Sequence, residues 1–345
     1  MYKKLLLLIL LLSLSLTACT LFAPSPEPTP SSTTEAQAVS TVETAQMSET
    51  ATAVPVEATV TASPSPTPET PSPTPSSTPT PLPTATSTAT ATPTAVVFAA
   101  IGDYGQAGDG AAAVATLVHD WEPEFIITLG DNNYPDGEAE TIDENIGQYY
   151  AEYIYPYQGT YTTTSTLEVN RFFPSLGNHD YYNEDGAQPY LDYFTLPGNE
   201  RYYDFTWGPV HLFALNSDFN EPDGVSPNSV QGQWLQQALA ESDAPWKLVY
   251  FHVTPYSSGG RAGEWMRWPF REWGASAVLA GHDHHYERLL VDGLPYFVNG
   301  LGGGAIYNIG ETHPDSQVQF TGTHGAMRIE AGPETITFEF VTRSG

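Results

Sequence analysis

The sequence predicts an α/β fold in which two mixed β-sheets are flanked by helices. Residues 96–101 and 125–129 are apolar runs of strand length, and residues 111–120 between them have a helical composition and pattern. Strand, helix and strand in this order are typical of a parallel α/β sheet. Further predicted strands continue as far as residue 341, and we assign all of them to two sheets with the helices outside.

Each predicted element follows from its local pattern. A short apolar run that ends at a glycine or a polar residue indicates a buried strand, and longer segments of helix-forming composition indicate helices. After residue 129, the predicted strands cover residues 171–176, 202–206, 210–215, 247–251, 277–280, 293–299, 327–330 and 335–341. The predicted helices cover residues 111–120, 142–155 and 227–239.

Residues 1–19 are predicted to be a lipoprotein signal peptide. Lys3 and Lys4 precede a leucine-rich run of roughly a dozen residues, which is the pattern of a secretory signal. This run is shorter than the ~20 apolar residues that span a bilayer. It ends in Leu16-Thr17-Ala18-Cys19, which resembles a bacterial lipobox with Cys19 as the lipidated residue. Cys19 is the only cysteine, so no intramolecular disulfide forms; the alternative is a chance cysteine after an ordinary signal peptide.

Residues 20–95 are predicted to be a disordered linker. Proline, threonine, serine and alanine dominate this segment, which has no aromatic residue after Phe22. Such a composition buries too little apolar surface to offset the entropy of ordering. Its proline content makes it a stiff spacer, with a reach on the order of 200 Å when fully extended. We interpret it as a tether, and its composition also fits an O-glycosylated stalk.

Residues 96–345 are predicted to form one globular domain, because a segment of this length is ample for a large core. The chain contains 40 Asp and Glu residues against 11 Lys and Arg, for a formal net charge of −29. Only six of the acidic residues precede residue 96. This acidic charge disfavours nucleic acid or another polyanion as a partner. An anionic substrate therefore needs a local positive centre, which bound metal ions would supply.

A histidine-rich segment, Gly281-His282-Asp283-His284, follows the apolar run 277–280. In an open α/β sheet, ligands bind on the loops at the carboxyl ends of strands. His282 and His284 are two residues apart, so in an extended segment they point to the same side. Two imidazoles on one side suit a metal ion.

Five such strand-ending loops carry side chains that commonly bind metals. Their order and local spacing resemble the metallophosphoesterase superfamily, and specifically its purple, tartrate-resistant acid phosphatase branch. The resemblance covers essentially the whole of residues 96–345 and implies a calcineurin-like domain, a sandwich of two mixed sheets. The five motifs are Gly102-Asp103-Tyr104-Gly105, Gly130-Asp131-Asn132-Asn133-Tyr134, Gly177-Asn178-His179-Asp180, Val249-Tyr250-Phe251-His252 and Gly281-His282-Asp283-His284.

Seven side chains of these motifs form two sets of candidate ligands. The first offers two carboxylates, a phenol and an imidazole, and its hard anionic oxygens suit Fe(III). The second offers an amide oxygen and two imidazoles, and it suits a divalent zinc, iron or manganese ion. The resemblance implies that Asp131 bridges the two ions and that Tyr134 is the ferric phenolate that colours the family. The first set is Asp103, Asp131, Tyr134 and His284, and the second is Asn178, His252 and His282.

The resemblance implies a phosphatase that hydrolyses phosphomonoesters by in-line attack of a metal-bound hydroxide. His179 resembles the family's outer-sphere histidine, which binds phosphate or protonates the leaving group. The alternative is a structural histidine, paired with Asp180. Family members often carry a further substrate histidine after the Val-x-x-His motif, and here Arg261 occupies that place. Arginine holds its proton, so we interpret Arg261 as a clamp on phosphate oxygens, or alternatively as a solvated loop charge.

Other functions stay open. A phosphodiesterase or nucleotidase would use the same metal centre, because loop shapes decide the choice of substrate. A catalytically silent surface binding module and an adhesive stalk belong to a different class, and the complete set of ligands disfavours the first of these. We expect a monomeric catalytic domain that acts on phosphate esters. It would be secreted and held by its lipid on the outer face of the bacterial cell membrane.

Overall fold

The computed structural model describes residues 95–161 and 168–345. The predicted signal peptide, Cys19 and the linker up to residue 94 lie outside the described residues, and their assignments stay predictions. Within the part that is described, no helix is both long enough and apolar enough to cross a membrane.

The described residues form twelve strands and five short α-helical segments. The strands are β1 (Val96–Ile101), β2 (Phe125–Thr128), β3 (Phe172–Pro174), β4 (Tyr203–Trp207), β5 (Val210–Ala214), β6 (Trp246–Val253), β7 (Ala277–Gly281), β8 (Tyr286–Val291), β9 (Leu294–Asn299), β10 (Ser316–Phe320), β11 (Gly325–Ala331) and β12 (Ile336–Thr342). The helices are α1 (Asp109–Asp120), α2 (Ala139–Ile142), α3 (Gln148–Tyr150), α4 (Gln188–Tyr193) and α5 (Val230–Glu241).

The strands form two mixed sheets, as the sequence predicts. The first has the order β12-β11-β1-β2-β3, in which β1, β2 and β3 are parallel and β11 is antiparallel to both of its neighbours, β1 and β12. The second has the order β10-β8-β9-β7-β6-β5-β4, with β5, β6, β7 and β9 parallel. Continuous apolar runs such as Phe125–Thr128, buried at every position, are typical of parallel strands that are covered on both faces.

The hydrophobic core lies on both faces of the second sheet. Leu248 and Tyr250 of β6 pack with the side chains of the first sheet. Val249 and Phe251 point the opposite way, into a second cluster that includes Leu235 of α5. Successive side chains of a strand alternate between its faces, so β6 joins the two clusters and the molecule is a sandwich with a helix outside.

The parallel arrangement gathers the predicted loops. The carboxyl ends of parallel strands meet at one edge of a sheet, and β1, β2 and β3 end just before Asp103, Asp131 and Asn178. In the second sheet, β6 contains His252 near its end, and β7 ends directly before His282. The topology therefore delivers all five motifs to neighbouring strand ends.

Two local predictions differ from the structure. The predicted helix 142–155 is replaced by α2, a π-helical turn at Asp143–Gly147 and α3, and regular helix stops at Tyr150. A proline disfavours helical conformation in the residue before it, and Pro156 follows Tyr155. The predicted strands also omitted β8 and β10, which pair with each other in an antiparallel register.

Candidate metal centre

Three of the candidate ligands have an unusual backbone conformation. Asp103, Asp131 and His282 have φ angles of 55°, 52° and 71°. A positive φ in a residue other than glycine costs about 1–2 kcal/mol, and such strain is concentrated at functional sites. All three residues lie one to three positions after the end of a strand, so the chain turns sharply where each strand ends.

Glycines at these turns make room for the ligands. Gly130 has a φ of 83°, and a Cβ atom there would lie 2.5 Å from the His252 ring. A Cβ atom on Gly281 would lie 2.5 Å from Asp103 Oδ2. In both cases, the side chain of another motif occupies the space that a Cβ atom would need. Gly130 and Gly281 therefore cannot be replaced by a larger residue without displacing that side chain.

The first predicted ligand set converges in the structure. Ligand atoms of Asp103, Asp131 and His284 lie within 4.8 Å of one another, and all three residues are buried. The Tyr134 hydroxyl lies 2.9 Å from Asp131 Oδ2, 3.3 Å from Asp103 Oδ1 and 3.2 Å from His284 Nε2. Two carboxylates, a phenol and an imidazole therefore surround one point.

The second predicted set converges beside the first. His252 Nε2 lies 3.0 Å from Asn178 Oδ1 and 3.1 Å from His282 Nδ1. The same atom lies 3.2 Å from Asp131 Oδ1. The two oxygens of Asp131 thus face different sets, with Oδ2 toward Tyr134 and Oδ1 toward His252.

Hydrogen bonds outside the cluster hold the ligands in orientation. Nδ1 of His252 lies 2.8 Å from the Leu129 carbonyl, and Nδ1 of His284 bonds to the Ala305 carbonyl. These contacts assign the proton to Nδ1 and turn Nε2 of both rings toward the centre. The His282 backbone N–H donates to Asp103 Oδ2 at 2.9 Å, which links the last loop to the first.

The charges of the cluster act strongly on one another. Burial would raise the pKa of Asp131, but the imidazoles of His252 and His179 hold it well below its usual range. Burial would lower the pKa of His252, but Asp131 raises it to about 10. Burial, followed by the charges of Asp103 and Asp131, raises the pKa of Tyr134 far above its usual range. Neutral imidazole and ionised phenol are the forms that bind cations, so a cation and a proton compete for these groups.

The donor set fits a pair of metal ions. The first set contributes anionic oxygens and the second contributes neutral nitrogen and amide oxygen, and Asp131 has one oxygen in contact with each. A buried group of like-charged carboxylates is stable only when it is paired with protons or cations. The residues present therefore match, in type and in convergence, the two sites that the sequence predicts.

A model of the calcineurin-like phosphoesterase family matches residues 96–286, more than half of the chain and all five motif loops. The chain belongs to the calcineurin-like phosphoesterase family. This finding confirms the family resemblance and the sandwich fold that it implies, and the family is one of phosphoric ester hydrolases.

Several relatives of this calcineurin-like phosphoesterase are acid phosphatases. It is 24% identical to human tartrate-resistant acid phosphatase type 5 over 245 residues, or 60% of this chain and 73% of that protein. It is 25% identical to purple acid phosphatase 4 of Arabidopsis thaliana over 295 residues, or 73% and 81% of the two chains. Two uncharacterized proteins of Mycobacterium tuberculosis are 30% identical over 156 residues, 36% of this chain, and the match spans only 29% of their length.

The solved structures support the fold. The purple acid phosphatase PPD1 of yellow lupin has a TM-score of 0.60 at 17% identity, with 73% of this chain and 52% of that chain covered. GAP50, the anchor in the inner membrane complex of Plasmodium, has a TM-score of 0.55 at 16% identity, with 72% and 85% covered.

His179 lies at the open side of the phosphoesterase site. Its side chain is 29% exposed, and its Nε2 is 4.0 Å from Asp131 Oδ2. The ring lies between Tyr134 and Tyr182, with centroid distances of 4.4 and 4.7 Å. Nδ1 bonds to the Pro135 carbonyl, which leaves Nε2 as the free nitrogen.

Asp180 does not pair with His179. It accepts hydrogen bonds from the Gly177 N–H at 2.8 Å and from the Asn132 side-chain amide at 2.8 Å. Burial and the charge of Asp131 raise the pKa of Asp180 to about 7. Asp180 therefore joins two motif loops, and the pairing of His179 with Asp180 that the sequence left open is not present; the role of His179 stays a prediction.

The Arg261 guanidinium lies against the face of Tyr307, 4.1 Å from the ring centroid. The opposite face of Tyr307 stacks on His284, with the centroids 4.0 Å apart and the planes inclined by 6°. Arg261 is thus held one ring away from a candidate ligand. Sequence reasoning missed Tyr307. The one local signal for it is the glycine run Gly302-Gly303-Gly304 that precedes it, where the Gly304 N–H donates to the Asp103 carbonyl at 2.9 Å.

Two buried carboxylates that the sequence did not single out hold the loop after β6. Asp283 Oδ2 accepts from the Ser257 hydroxyl at 2.5 Å and from the Arg261 N–H at 3.2 Å. Glu287 accepts from the Ser258 N–H at 2.8 Å and contacts the fully buried His285 at 3.1 Å. His285 therefore supports the loop and does not face the site. The remaining histidines, His119, His211, His313 and His324, make contacts outside the cluster.

Proposed function

We propose that this protein is a surface-anchored phosphatase that hydrolyses phosphomonoesters at a dinuclear metal centre. The observation that carries the proposal is the convergence of seven ligand-type side chains into two sets that share Asp131. The acid phosphatases among the relatives support the choice of a phosphomonoester.

The two sets define which residues would hold which ion. The more anionic set suits Fe(III), and the neutral set suits a divalent zinc, iron or manganese ion. When bound, the two ions would supply a nucleophile at low pH and neutralise charge on the phosphoryl oxygens. Asp131 would contribute one oxygen to each site. The first site is Asp103, Asp131, Tyr134 and His284, and the second is Asn178, His252, His282 and Asp131.

We assign to His179 the transfer of a proton to the leaving group. Its Nδ1 is held by the Pro135 carbonyl, so only Nε2 can bind or release a proton toward the substrate. In the reaction, water adds its oxygen to phosphorus, the ester P–O bond breaks, and the departing oxygen takes a proton. A protonated Nε2 at the rim of the cluster would supply that proton.

Arg261 would bind the phosphoryl oxygens. A guanidinium is permanently charged and presents two parallel N–H groups that match two phosphoryl oxygens. Contact with the Tyr307 face restricts its position, which lowers the entropy lost when a substrate binds.

The proposal is tested by measuring the metal content and by comparing the cleavage of a phosphomonoester with that of a phosphodiester. We expect the purified full chain to contain about two metal ions per molecule and to cleave a phosphomonoester faster than a phosphodiester. Asp131→Asn should lose both metal and activity, because a neutral amide cannot replace the shared anionic oxygens. His119→Ala is the matched control, since His119 bonds to Glu152 and the Tyr149 carbonyl away from the cluster.

Each outcome of this test points to one function. Faster cleavage of the diester would replace the proposal with a phosphodiesterase on the same centre. A chain that binds metal and cleaves neither ester would support a catalytically silent binding module. A chain whose activity survives Asp131→Asn would contradict the assignment of the centre.

A further inference from the structure

Tyr182 lies on a short helical turn that also carries a candidate ligand. A 3₁₀ turn covers His179–Tyr181, and the flanking residues Asn178 and Tyr182 have the φ and ψ angles of a right-handed helix. Side chains three and four residues apart on a helical turn are neighbours on one face. The turn therefore places the Tyr182 side chain next to both Asn178 and His179.

The Tyr182 hydroxyl fixes which end of the Asn178 amide faces the metal centre. Asn178 Nδ2 donates a hydrogen bond to the hydroxyl oxygen at 2.6 Å. At the other end of the amide, Oδ1 lies 3.0 Å from Nε2 of His252. An Asn side chain has its donors on nitrogen and its lone pairs on oxygen, so only the oxygen end binds a cation. A partner that accepts from the nitrogen therefore turns the useful end toward the centre.

The opposite orientation of the amide would compete with a metal ion. Nδ1 of His252 bonds to the Leu129 carbonyl, so Nε2 presents a lone pair toward Asn178. With the amide reversed, the Asn178 N–H group would donate to that lone pair and take the place of a cation. The hydrogen bond to Tyr182 disfavours this arrangement, because the reversed amide would lose its accepting partner at the hydroxyl.

The Tyr182 ring is held in place although 58% of the residue is exposed. Its centroid lies 4.7 Å from that of His179, which in turn lies 4.4 Å from the ring of Tyr134. The His179 backbone N–H donates to Asp131 Oδ1 at 2.9 Å, which ties the helical turn to the carboxylate that the two ligand sets share. A hydroxyl that is positioned in advance holds its partner at a lower cost in entropy than a mobile one.

We propose that Tyr182 is a positioning residue for the second metal site, because its hydroxyl holds Asn178 with the amide oxygen toward the divalent ion. This inference rests on the proposed dinuclear centre and assigns to it a residue outside the seven candidate ligands. Tyr182 acts on the metal through Asn178. Its effect is confined to the second set, since Asn178 belongs to that set alone.

The test measures metal affinity separately from activity. The probe is Zn²⁺ alone, titrated into the purified full chain after its divalent ion has been removed with a chelator. Tyr182→Phe keeps the ring against His179 and removes the hydroxyl. We expect it to weaken Zn²⁺ binding by roughly 10-fold, the lower end of the range for partners that orient a metal ligand, because the hydrogen bond is partly exposed. Iron content and visible absorption should stay unchanged, because the first set is intact.

A second background separates orientation of the amide from general support of the turn. Asn178→Asp introduces a carboxylate whose two oxygens both bind cations, so the ligand no longer has an unsuitable end. Adding Tyr182→Phe to Asn178→Asp should then change the Zn²⁺ affinity by less than about twofold. Tyr149→Phe is the matched control, because the Tyr149 hydroxyl also accepts from an N–H group, that of Gly108 at 3.0 Å. It should leave the affinity unchanged.

The outcomes separate this inference from the proposed function. A wild-type chain that cleaves phosphomonoesters, with a Zn²⁺ affinity insensitive to Tyr182→Phe, would overturn the positioning role and leave the phosphatase intact. An equal loss of affinity with and without Asn178→Asp would mean that Tyr182 supports the turn and would also overturn the role. If the affinities follow the expected pattern but no ester is cleaved, the positioning role stands and the phosphatase fails. A wild-type chain that takes up no second ion would contradict both.

Discussion

At the scale of single residues, Tyr134 contacts all the other members of the first ligand set. Its hydroxyl contacts side chains from the loops after β1, β2 and β7. Burial and two carboxylates raise its pKa far above the usual range, so the phenol ionises only when a strongly charged cation replaces its proton. A phenolate bound to Fe(III) would absorb visible light.

We expect Tyr134→Phe to abolish this absorption band and to retain part of the activity. The carboxylates of Asp103 and Asp131 would still hold the ion, because two oxygen ligands of the first set remain in place. Visible absorption, iron content and kcat are measured on the same sample. Tyr182→Phe, a neighbouring tyrosine that bonds to the Asn178 amide, should keep the band. A colourless, active wild type with two zinc or manganese ions would contradict the assignment of iron.

Arg261 and Tyr307 form a second unit at this scale. If the guanidinium binds phosphate, Arg261→Ala should lower kcat/KM by roughly 10- to 100-fold and weaken inhibition by phosphate, the loss of one charged hydrogen bond of about 1.5–3 kcal/mol. Arg267→Ala is a matched control, since Arg267 also lies over a tyrosine, Tyr256, at 4.8 Å, and it should change neither quantity.

Tyr307→Ala tests whether the ring positions Arg261. It should lower kcat/KM less than Arg261→Ala does, and the double variant should resemble Arg261→Ala alone, because residues that act as one unit are not additive. If the losses in kcat/KM of the two single variants add up in the double variant, Tyr307 acts independently of Arg261. Unchanged phosphate inhibition in Arg261→Ala would identify Arg261 as a solvated loop charge.

At the scale of elements, Glu287 of β8 holds the loop after β6. It accepts hydrogen bonds from Ser258 N–H and hydroxyl groups, at 2.8 and 2.5 Å, and from the Gln319 amide of β10 at 3.0 Å. This loop carries Arg261, so a buried carboxylate on a strand supports the segment that carries the proposed phosphate clamp.

The Glu287 network predicts a dependence of stability on pH. Burial would raise the pKa of Glu287, but hydrogen bonds from His285, Gln319 and Ser258 hold it well below its usual range. A lowered pKa in the folded state contributes stability above the unfolded value, near pH 4.5, and this contribution is lost as the pH falls further. We expect Glu287→Gln to cost about 1–3 kcal/mol at pH 7.

Thermal unfolding of wild type and Glu287→Gln at pH 7 and at pH 3.5 checks this. The difference in Tm should be large at pH 7 and smaller at pH 3.5, because below the unfolded pKa the unfolded wild-type chain takes up the proton and part of the stabilisation is lost. Glu330→Gln serves as the control, because Glu330 forms a partly exposed ion pair with Arg328 at 3.0 Å. Its loss should have a small effect on Tm at both pH values. A Tm difference that does not change with pH would rule out the charge of Glu287 as the cause.

At the scale of the whole molecule, we propose that residues 20–95 link the strongly acidic residues 96–345 to a lipid anchor at Cys19. Most of the negative charge lies after the linker, so the domain would be repelled by an anionic membrane surface. The tether that the sequence predicts at residues 20–95 would then serve as a spacer between the lipid and the acidic residues.

The anchor is tested at Cys19, the only cysteine of the chain. We expect Cys19→Ser to release the protein from the membrane fraction, because stable anchoring needs two or more acyl chains and this residue is where they would attach. Fractionation is followed by immunoblot, with Ser13→Ala as a control within the same leader. A variant that stays bound with unchanged migration would mean that the signal segment, rather than a lipid, retains the chain.

The sequence by itself determined the family, the two sheets and the seven side chains that converge. Strand ends and His-x-His spacing are local properties, and the glycine that closes each apolar run marks where the chain turns. Once parallel strands place their carboxyl ends together, residues such as Asp103 and His282 meet even though 178 positions separate them. The order of the motifs was therefore sufficient to predict which residues would meet.

Only the tertiary structure decided what surrounds that centre. The positions of Tyr307 and Glu287 follow no sequence period, and these residues matter because segments far apart in the chain pack against one another. The predicted helix 142–155 failed for a related reason, since Pro156 and the hydrogen bonds that Asp143 accepts from Tyr157 and Thr160 turn the chain back. Periodicity reports which face of an element is buried, whereas contacts between irregular loops depend on side-chain shape and polar partners that no single segment contains.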